Sequence, residues 1–363
     1  MVRPTARLLQ TLHTPPIAHT PQGSSLIYSL GLSYASKSSP PFIPPQTKVP
    51  AYGFQGQKNK VGKWVDAMLS LRAGRGELRG GVEGGWDAKL GEETRKWGAG
   101  EDFFAIADGS GSTHLALSDG VGGWSPQYDP SLFSQSLMHH YALLATSSPS
   151  SAPWDCLTKG YAGTLADPGV EAGSGTAIGV VLGEGGKGKA VNLGDSGFSI
   201  LRDDKIIFAS TSQTHYFNCP RQLAKIPAKM KSQGNITDLP SDGERFDFEV
   251  IPGDVVILYT DGLSDNLPPT HLPLLSSTLT KLLASAENSH LSHTEIAVEK
   301  ARLLADVLVG YGRMAMSRTG DEDGGKGWKT PFEIEARNNG YNFKGGKVDD
   351  ITVMTAVVSE RLM

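Results

Sequence analysis

The chain has 363 residues, of which 39% are hydrophobic and 20% are charged, a composition that is ordinary for a globular protein. Its formal net charge of −4 provides no global basic field for nucleic acid, and no apolar run approaches the roughly 18 residues of a membrane-spanning helix. Because Cys156 and Cys219 are the only cysteines, a disulfide framework and a cysteine zinc cluster are excluded.

Charge is distributed unevenly along the chain. Residues 1–65 contain no acidic residue and seven basic ones, together with many prolines and hydroxyl-bearing residues. This composition is typical of an organelle transit peptide, and a disordered cytosolic tail is the alternative. We predict that residues 1–65 comprise a mitochondrial transit peptide and a disordered Pro/Ser-rich segment, and that residues 66–363 form the folded domain.

The first half of the predicted domain combines a hairpin, two helices and a run of strands. The hairpin joins Phe103–Asp108 to Thr113–Ser118, and helices are predicted for Ser131–Thr146 and Pro153–Leu165. Strands separated by glycine or Asp-Asp turns follow, at Thr176–Leu182, Lys189–Leu193, Phe198–Arg202 and Lys205–Ala209.

The second half begins with residues 210–245, where prolines without periodicity predict an irregular surface flap. A Gly-rich loop is predicted for residues 317–347. The remaining strands and helices are predicted at Arg245–Ile251, Asp254–Thr260, His271–Ala286, Glu295–Met316 and Ile351–Val358. Because the helices are segregated from antiparallel strands, the pattern indicates a layered α+β fold.

Acidic residues stand at the ends of several predicted strands. Asp119-Gly120 and Asp261-Gly262 each end an apolar strand, and Asp349-Asp350 precedes the last one. Asp-Gly is also a common hairpin turn and occurs five times here, so a single corner indicates only a turn. Several carboxylates at strand ends, however, supply the oxygen-only ligands that Mg²⁺ and Mn²⁺ prefer. Their coincidence predicts a metal-dependent hydrolase.

The acidic corners belong to an ordered series of six short motifs, which begin at Gly100-Glu101-Asp102, Asp119-Gly120-Val121, Gly173-Ser174-Gly175, Asn192-Leu193-Gly194-Asp195, Tyr259-Thr260-Asp261 and Asp349-Asp350. In order and spacing the series resembles the type 2C metal-dependent Ser/Thr protein phosphatases, from about residue 100 to residue 358. The Gly-Val-Gly-Gly-Trp sequence after Asp119 looks most like the mitochondrial branch of that family.

The resemblance implies an α/β/β/α sandwich, in which two central, mostly antiparallel sheets are flanked by helices, for a catalytic domain at 66–363. It further implies a site for two Mn²⁺ or Mg²⁺ ions. Asp119 would bridge both ions, and Asp261 and Asp349 would hold the first. The resemblance makes Asp119 and Asp261 the catalytic residues, and a water activated by the metals would attack the phosphorus directly.

The remaining ligands are also implied by the resemblance. The carbonyl of Gly120, together with Glu101, would hold the second ion. Asp102 would support that loop, and whether Glu101 or Asp102 lies nearer the ion stays open. Asp195 would face a weaker third metal site together with Asp261.

Two positions depart from the pattern of the resembled family. Val121 stands where many members have a histidine that is proposed to protonate the leaving oxygen, and Trp97 stands where members often have a phosphate-binding arginine. His114 and Lys96 are candidates for these roles, and a structural or merely exposed position is the alternative for each.

The resemblance implies hydrolysis of phosphoserine and phosphothreonine in phosphoprotein substrates of the mitochondrial matrix. Enzymes of coenzyme Q synthesis are among the partners that it suggests, and we expect a monomer that contacts no nucleic acid and has no transmembrane segment. The alternative function is a catalytically inactive, phosphatase-like binding module.

Overall fold

A computed structural model describes residues 26–42, 48–50, 52–73, 95–109, 111–285, 290–321 and 327–361. All structural statements below refer to these residues. Of the segment 1–65, predicted to be a transit peptide and a disordered region, residues 1–25, 43–47 and 51 lie outside them.

The strands of the described chain are numbered in sequence order. They are β1 (Leu26–Ala35), β2 (Phe103–Gly109), β3 (Ser112–Ser118), β4 (Gly173–Gly175), β5 (Ala177–Gly183), β6 (Lys187–Leu193), β7 (Gly197–Arg202), β8 (Lys205–Ala209), β9 (Thr214–Tyr216), β10 (Cys219–Pro220), β11 (Leu223–Lys225), β12 (Glu244–Glu249), β13 (Val255–Tyr259) and β14 (Ile351–Glu360).

The α-helices of the described chain are α1 (Lys60–Ala73), α2 (Ser131–Ser147), α3 (Pro153–Ala166), α4 (Asp261–Ser264), α5 (His271–Leu283), α6 (His293–Met316) and α7 (Pro331–Asn338). The predicted capping box begins α6, since Ser292 N donates to Glu295 Oε2 at 2.9 Å and Glu295 N donates to Ser292 Oγ at 3.2 Å. None of the described helices is long and apolar enough to cross a membrane.

Two five-stranded antiparallel sheets form the centre of the fold. The first has the order β1-β14-β13-β7-β8, and the second has the order β12-β6-β5-β3-β2. Helices α2 and α3 pack on the second sheet, whereas α6 covers β1 and β14 of the first and α5 packs on α6. The α/β/β/α sandwich predicted from the resemblance is therefore confirmed.

Strand β13 shows why the sandwich has two layers of core. Val256 and Leu258 lie in the cluster between the sheets, while Val255 and Ile257 lie in the cluster beneath α5 and α6. Successive strand residues point to opposite faces, so a strand with helices on one side and a sheet on the other has no polar face. This explains the continuous apolar run at 255–258.

The prediction that residues 1–65 are disordered is wrong for residues 60–65, which begin α1 and bury Val65, and for Leu26–Ala35. This segment is strand β1, which pairs antiparallel with β14 along its whole length and buries Leu32 and Tyr34. Gly31 permits α6 to approach, because a Cβ there would clash with the carbonyl oxygen of Ala301. Residues 28–34 read Tyr-Ser-Leu-Gly-Leu-Ser-Tyr, and this alternation of large apolar and small residues is a strand signal that the acid-free, proline-rich composition around it outweighed.

The predicted loop at 317–347 is wrong at Pro331–Asn338, which form α7. The helix begins at a buried cap, where Glu333 N donates to Thr330 Oγ1 at 3.1 Å. The Thr-Pro-x-Glu sequence could have indicated this start, since proline at the first helical position follows a threonine cap. The predicted flap at 210–245 contains β9 to β11 and two short 3₁₀ segments.

Because β1 is a core strand, Leu32→Ala should lower the free energy of unfolding by about 2–5 kcal/mol. The matched control is Leu239→Ala, since Leu239 is 58% exposed, and it should change stability by less than about 0.5 kcal/mol. Urea denaturation followed by tryptophan fluorescence measures both. Equal stability of Leu32→Ala and the parent protein would contradict the placement of β1 in the core.

Candidate metal centre

Asp119 follows β3 at a corner that hydrogen bonds attach to the second sheet. Thr176 N donates to Asp119 O at 2.9 Å, and Asp119 N donates to Thr176 Oγ1 at 3.2 Å. Val121 N donates to Ser174 O at 2.9 Å. The backbone is thus held on both sides of the carboxylate, so the sheet rather than a free loop determines its position.

Asp261 is the first residue of α4, directly after β13. The turn is held where Thr260 N donates to Thr352 O at 3.1 Å. Gly262 is required at the next position, because a Cβ would clash with the carbonyl oxygen of Asp350. This close approach places the Asp261 corner directly against the acidic pair that precedes β14.

The structure brings together Asp119, Asp195 and Asp261, which belong to corners far apart in sequence. Each offers a carboxylate oxygen, and these oxygens all lie within 4.8 Å of one another. Asp195 Oδ1 and Asp261 Oδ1 are buried and have no hydrogen-bond partner among the described residues. Since buried carboxylate oxygens require a donor or a cation, this oxygen-only set fits a hard divalent ion such as Mn²⁺ or Mg²⁺.

The residues predicted for the second ion lie beside this group. Gly120 packs against the backbone of Glu101, and Glu101 N donates to Asp350 Oδ2 at 3.0 Å. Asp102 is fully buried and accepts a hydrogen bond from Thr260 Oγ1 at 2.8 Å. Glu101 and Asp102 are therefore held by partners from the opposite sheet, as a supporting loop requires.

Asp349 lies outside the group of three and is paired with two lysines. Its carboxylate is 3.1 Å from Lys347 Nζ and 3.5 Å from Lys37 Nζ. Lys37 Nζ also donates to Glu101 Oε2 at 2.8 Å. Sequence analysis missed both lysines. The position of Lys347 two residues before Asp349 was a local signal, whereas Lys37 follows β1 and is brought in only by strand pairing.

Burial and the neighbouring charges shift the pKa values of these carboxylates. Burial, and then the charge of Asp261, raise the pKa of Asp119 well above its usual value. Burial and the same neighbour raise the pKa of Asp195, and burial raises the pKa of Asp265 to about 7. For Asp261 itself, burial is the largest single effect and acts in the same direction, but the charge of Lys347 and the hydrogen bonds to the carboxylate together outweigh it and hold the pKa below its usual value.

His114 and Lys96, the two candidates for proton transfer and phosphate binding, lie in structural contacts. His114 is buried on β3, its Nε2 is 2.8 Å from the carbonyl oxygen of Pro149, and burial lowers its pKa. Lys96 Nζ lies 5.9 Å from the centre of the Trp97 ring. His114 therefore has a structural role, as the alternative predicted.

Comparisons with known proteins agree with this geometry. The chain is 34% identical over 268 residues to 5-azacytidine resistance protein azr1 of Schizosaccharomyces pombe, covering 72% of this chain and 83% of the relative. It is 34% identical to the protein phosphatase PTC7 homologs of Danio rerio and Homo sapiens, covering 72% of this chain and 82% and 80% of those proteins. The X-ray structure of the photosystem II phosphatase PBCP matches with a TM-score of 0.55 and 26% identity, covering 71% of this chain and 91% of that one. No family model matches the chain.

The two-sheet sandwich and its converging carboxylates define a metal-dependent protein phosphatase. The chain belongs to the type 2C protein phosphatase family, as its relatives named PTC7 show, and it is a metal-dependent protein-serine/threonine phosphatase. The family predicted from the six motifs is thereby confirmed.

The raised carboxylate pKa values predict how pH affects the metal-free protein. At pH values between 3.8, the ordinary pKa of an aspartate, and about 7, the raised pKa of Asp265, the Asp265 carboxyl keeps its proton in the folded state but has lost it in the unfolded state. Stability therefore falls as pH rises through this window, by up to about 1.4 kcal/mol per pH unit for each such group.

Thermal unfolding with EDTA and with excess Mn²⁺, at about pH 5.5 and about pH 7.5, measures this effect. Bound cations favour the deprotonated carboxylates, so the midpoint difference between the two conditions should widen as pH rises. Titration of the histidines is common to both conditions and cancels in that difference. A difference that narrows with rising pH would contradict the shared burial of these carboxylates.

Proposed function

We propose that this protein hydrolyses phosphoserine and phosphothreonine in proteins with a water activated between two Mn²⁺ or Mg²⁺ ions. The observation that carries the proposal is the group formed by Asp119, Asp195 and Asp261, whose carboxylate oxygens lie within 4.8 Å of one another. When bound, two such ions would lower the pKa of a shared water and stabilise negative charge on both sides of an in-line displacement.

Residues from several corners of the fold would hold the two ions. Asp119 would contact both ions, since its corner lies between the Asp261 corner and the Glu101 loop. Asp261 and Asp349 would hold the first ion, and the carbonyl of Gly120, with Glu101, would hold the second. These roles come from the family pattern, and the hydrogen bonds described above support them by holding each of these backbone segments in place.

Asp102 and Asp195 would act beside the two ion sites. Asp102 is held by Thr260 across the two sheets and would keep the neighbouring Glu101 in position. Asp195 Oδ1, buried and without a hydrogen-bond partner among the described residues, is free to accept a cation shared with Asp261.

The catalytically inactive binding module remains the second candidate function. The presence of Asp119, Asp261 and Asp349 disfavours it, because a protein that serves only as a scaffold would have no use for several buried, mutually repelling carboxylates. Hydrolysis of a phosphothreonine peptide with and without Mn²⁺ distinguishes the two.

We further propose that the enzyme acts in the mitochondrial matrix. Residues 1–25 contain Arg3, Arg7 and no acidic residue, which supports an import signal. Because β1 begins at Leu26 and belongs to the core, a cleaved presequence would have to end before it. By family resemblance, matrix phosphoproteins, including enzymes of coenzyme Q synthesis, are the proposed substrates, and the proposed state is a monomer.

Hydrolysis of the phosphothreonine peptide should require Mn²⁺ or Mg²⁺ and be abolished by EDTA. Asp119→Asn should lower kcat/KM by roughly 100-fold or more, because it weakens contacts with both ions. The matched control is Asp108→Asn, which alters another Asp-Gly corner whose carboxylate is exposed and accepts a hydrogen bond from Thr113. If Asp195→Asn proved more damaging than Asp119→Asn while folding was retained, the bridging role would be wrongly assigned.

Residues 1–25 fused to a fluorescent protein should direct it into mitochondria, where it would co-localise with a matrix marker. The same fusion with Arg3→Glu and Arg7→Glu should remain in the cytosol, since import signals depend on basic charge. Cytosolic fluorescence of the unaltered fusion would refute the localisation and leave the chemistry unaffected.

A further inference from the structure

Lys37 lies between the carboxylates that are proposed to hold the two metal ions. Its Nζ is 2.8 Å from Glu101 Oε2, on the side of the second ion, and 3.5 Å from Asp349 Oδ1, on the side of the first. A third carboxylate oxygen, Asp350 Oδ2, is 3.3 Å from the same nitrogen. One ammonium group therefore borders a proposed ligand of each ion.

The backbone of Lys37 is held in place from two sides. Lys37 N donates to Asp350 Oδ1 at 2.7 Å. The guanidinium group of Arg313, on α6, donates to the carbonyl oxygens of Ser36 at 3.1 Å and Ser39 at 3.2 Å. The segment that follows β1 is thus attached both to the acidic pair before β14 and to the helix layer, so the ammonium group starts from a fixed backbone.

The ammonium group of Lys37 has hydrogen-bond donors to offer when the ions are bound. It carries three N–H donors, and Glu101 and Asp349 would then be committed to the ions. Asp350 is assigned to no ion and accepts hydrogen bonds from the backbone N of Lys37 and of Glu101, so it would remain the acidic partner. The side chain of Lys37 is 32% exposed, against 17% for Lys347, and is therefore the more accessible of the two lysines.

The substrate supplies the matching acceptor. A phosphoryl group that lies against two ions still carries several charged oxygens, and lysine binds such a group as a point charge. Trp97, which stands where members of the family often have a phosphate-binding arginine, is apolar and only 6% exposed. That position provides no cation, whereas Lys37 places one beside ligands of both ions.

We propose that Lys37 contacts the phosphoryl group of the substrate, and the phosphate product after hydrolysis. The inference rests on the proposed two-ion function and adds a substrate contact to it. Lys37 comes from the end of β1, 64 residues before Glu101, so the contact depends on the pairing of β1 with β14.

Binding of inorganic phosphate tests the proposal without catalysis. A ³¹P NMR titration in saturating Mg²⁺, which is diamagnetic, measures the dissociation constant of phosphate. Lys37→Met should weaken phosphate binding at least roughly tenfold, because a charge-assisted hydrogen bond is lost, and Lys37→Arg should stay within about threefold of the unaltered protein. The matched control is Lys63→Met on α1, where the lysine is exposed, and it should change the affinity by less than about twofold.

The Mg²⁺ affinity of the same variants, measured by calorimetry without phosphate, separates a phosphate contact from simple charge compensation. If Lys37→Met altered only the Mg²⁺ affinity and bound phosphate as tightly as the unaltered protein, the proposal would be overturned. Phosphate binding that was lost in Lys96→Met but retained in Lys37→Met would overturn it as well. Lys37→Gln, which keeps an N–H donor for Glu101 but removes the charge, gives the same comparison if Lys37→Met does not fold.

Hydrolysis of the phosphothreonine peptide distinguishes failure of this inference from failure of the proposed function. An active enzyme whose Lys37 variants keep the full phosphate affinity would refute only the role of Lys37. A protein that loses phosphate affinity in Lys37→Met but hydrolyses no peptide in its unaltered form would refute the proposed function and leave the phosphate contact standing.

Discussion

Several buried carboxylates converge at the metal centre, where they repel one another. Asp119, Asp195 and Asp261 are held with oxygens within 4.8 Å of one another, and burial raises the pKa of Asp119 and Asp195. Such an arrangement survives only because well-packed elements hold the corners and because cations compensate the charge. Part of the compensation is internal, through Lys37 and Lys347, and the remainder falls to divalent ions.

The sandwich supplies the required rigidity by presenting strand ends at one edge. β3 carries Asp119 in the second sheet, while β13 and β14 carry Asp261 and the acidic pair in the first. The side chain of Asp102, before β2, bonds across to Thr260, after β13. The metal centre therefore forms only when the two sheets pack face to face, which couples ligand geometry to the hydrophobic core between them.

The N-terminal strand β1 also links the hydrophobic core to the metal centre. β1 extends the first sheet beside β14 and is covered by α6. The residues just after it add a charge to the centre, because Lys37 N donates to Asp350 Oδ1 at 2.7 Å and Lys37 Nζ pairs with Glu101. A segment that composition alone assigns to a disordered leader thus contributes both to the core and to the charge balance of the metal centre.

The family, the α+β layering and the acidic corners could be predicted from the sequence alone, because these depend on local signals: period-two apolar runs, capping residues, and Asp-Gly turns at strand ends in a fixed order. The prediction missed β1, although residues 28–34 alternate large apolar and small side chains, because the acid-free, proline-rich composition around them favoured a disordered leader. It also assigned α7 to a loop despite a Thr-Pro-x-Glu start. It also left Lys37 and Lys347 unassigned. The placement of these lysines depends on the tertiary structure, because strand pairing and sheet packing bring residues 37, 101 and 349 together from positions far apart in the sequence.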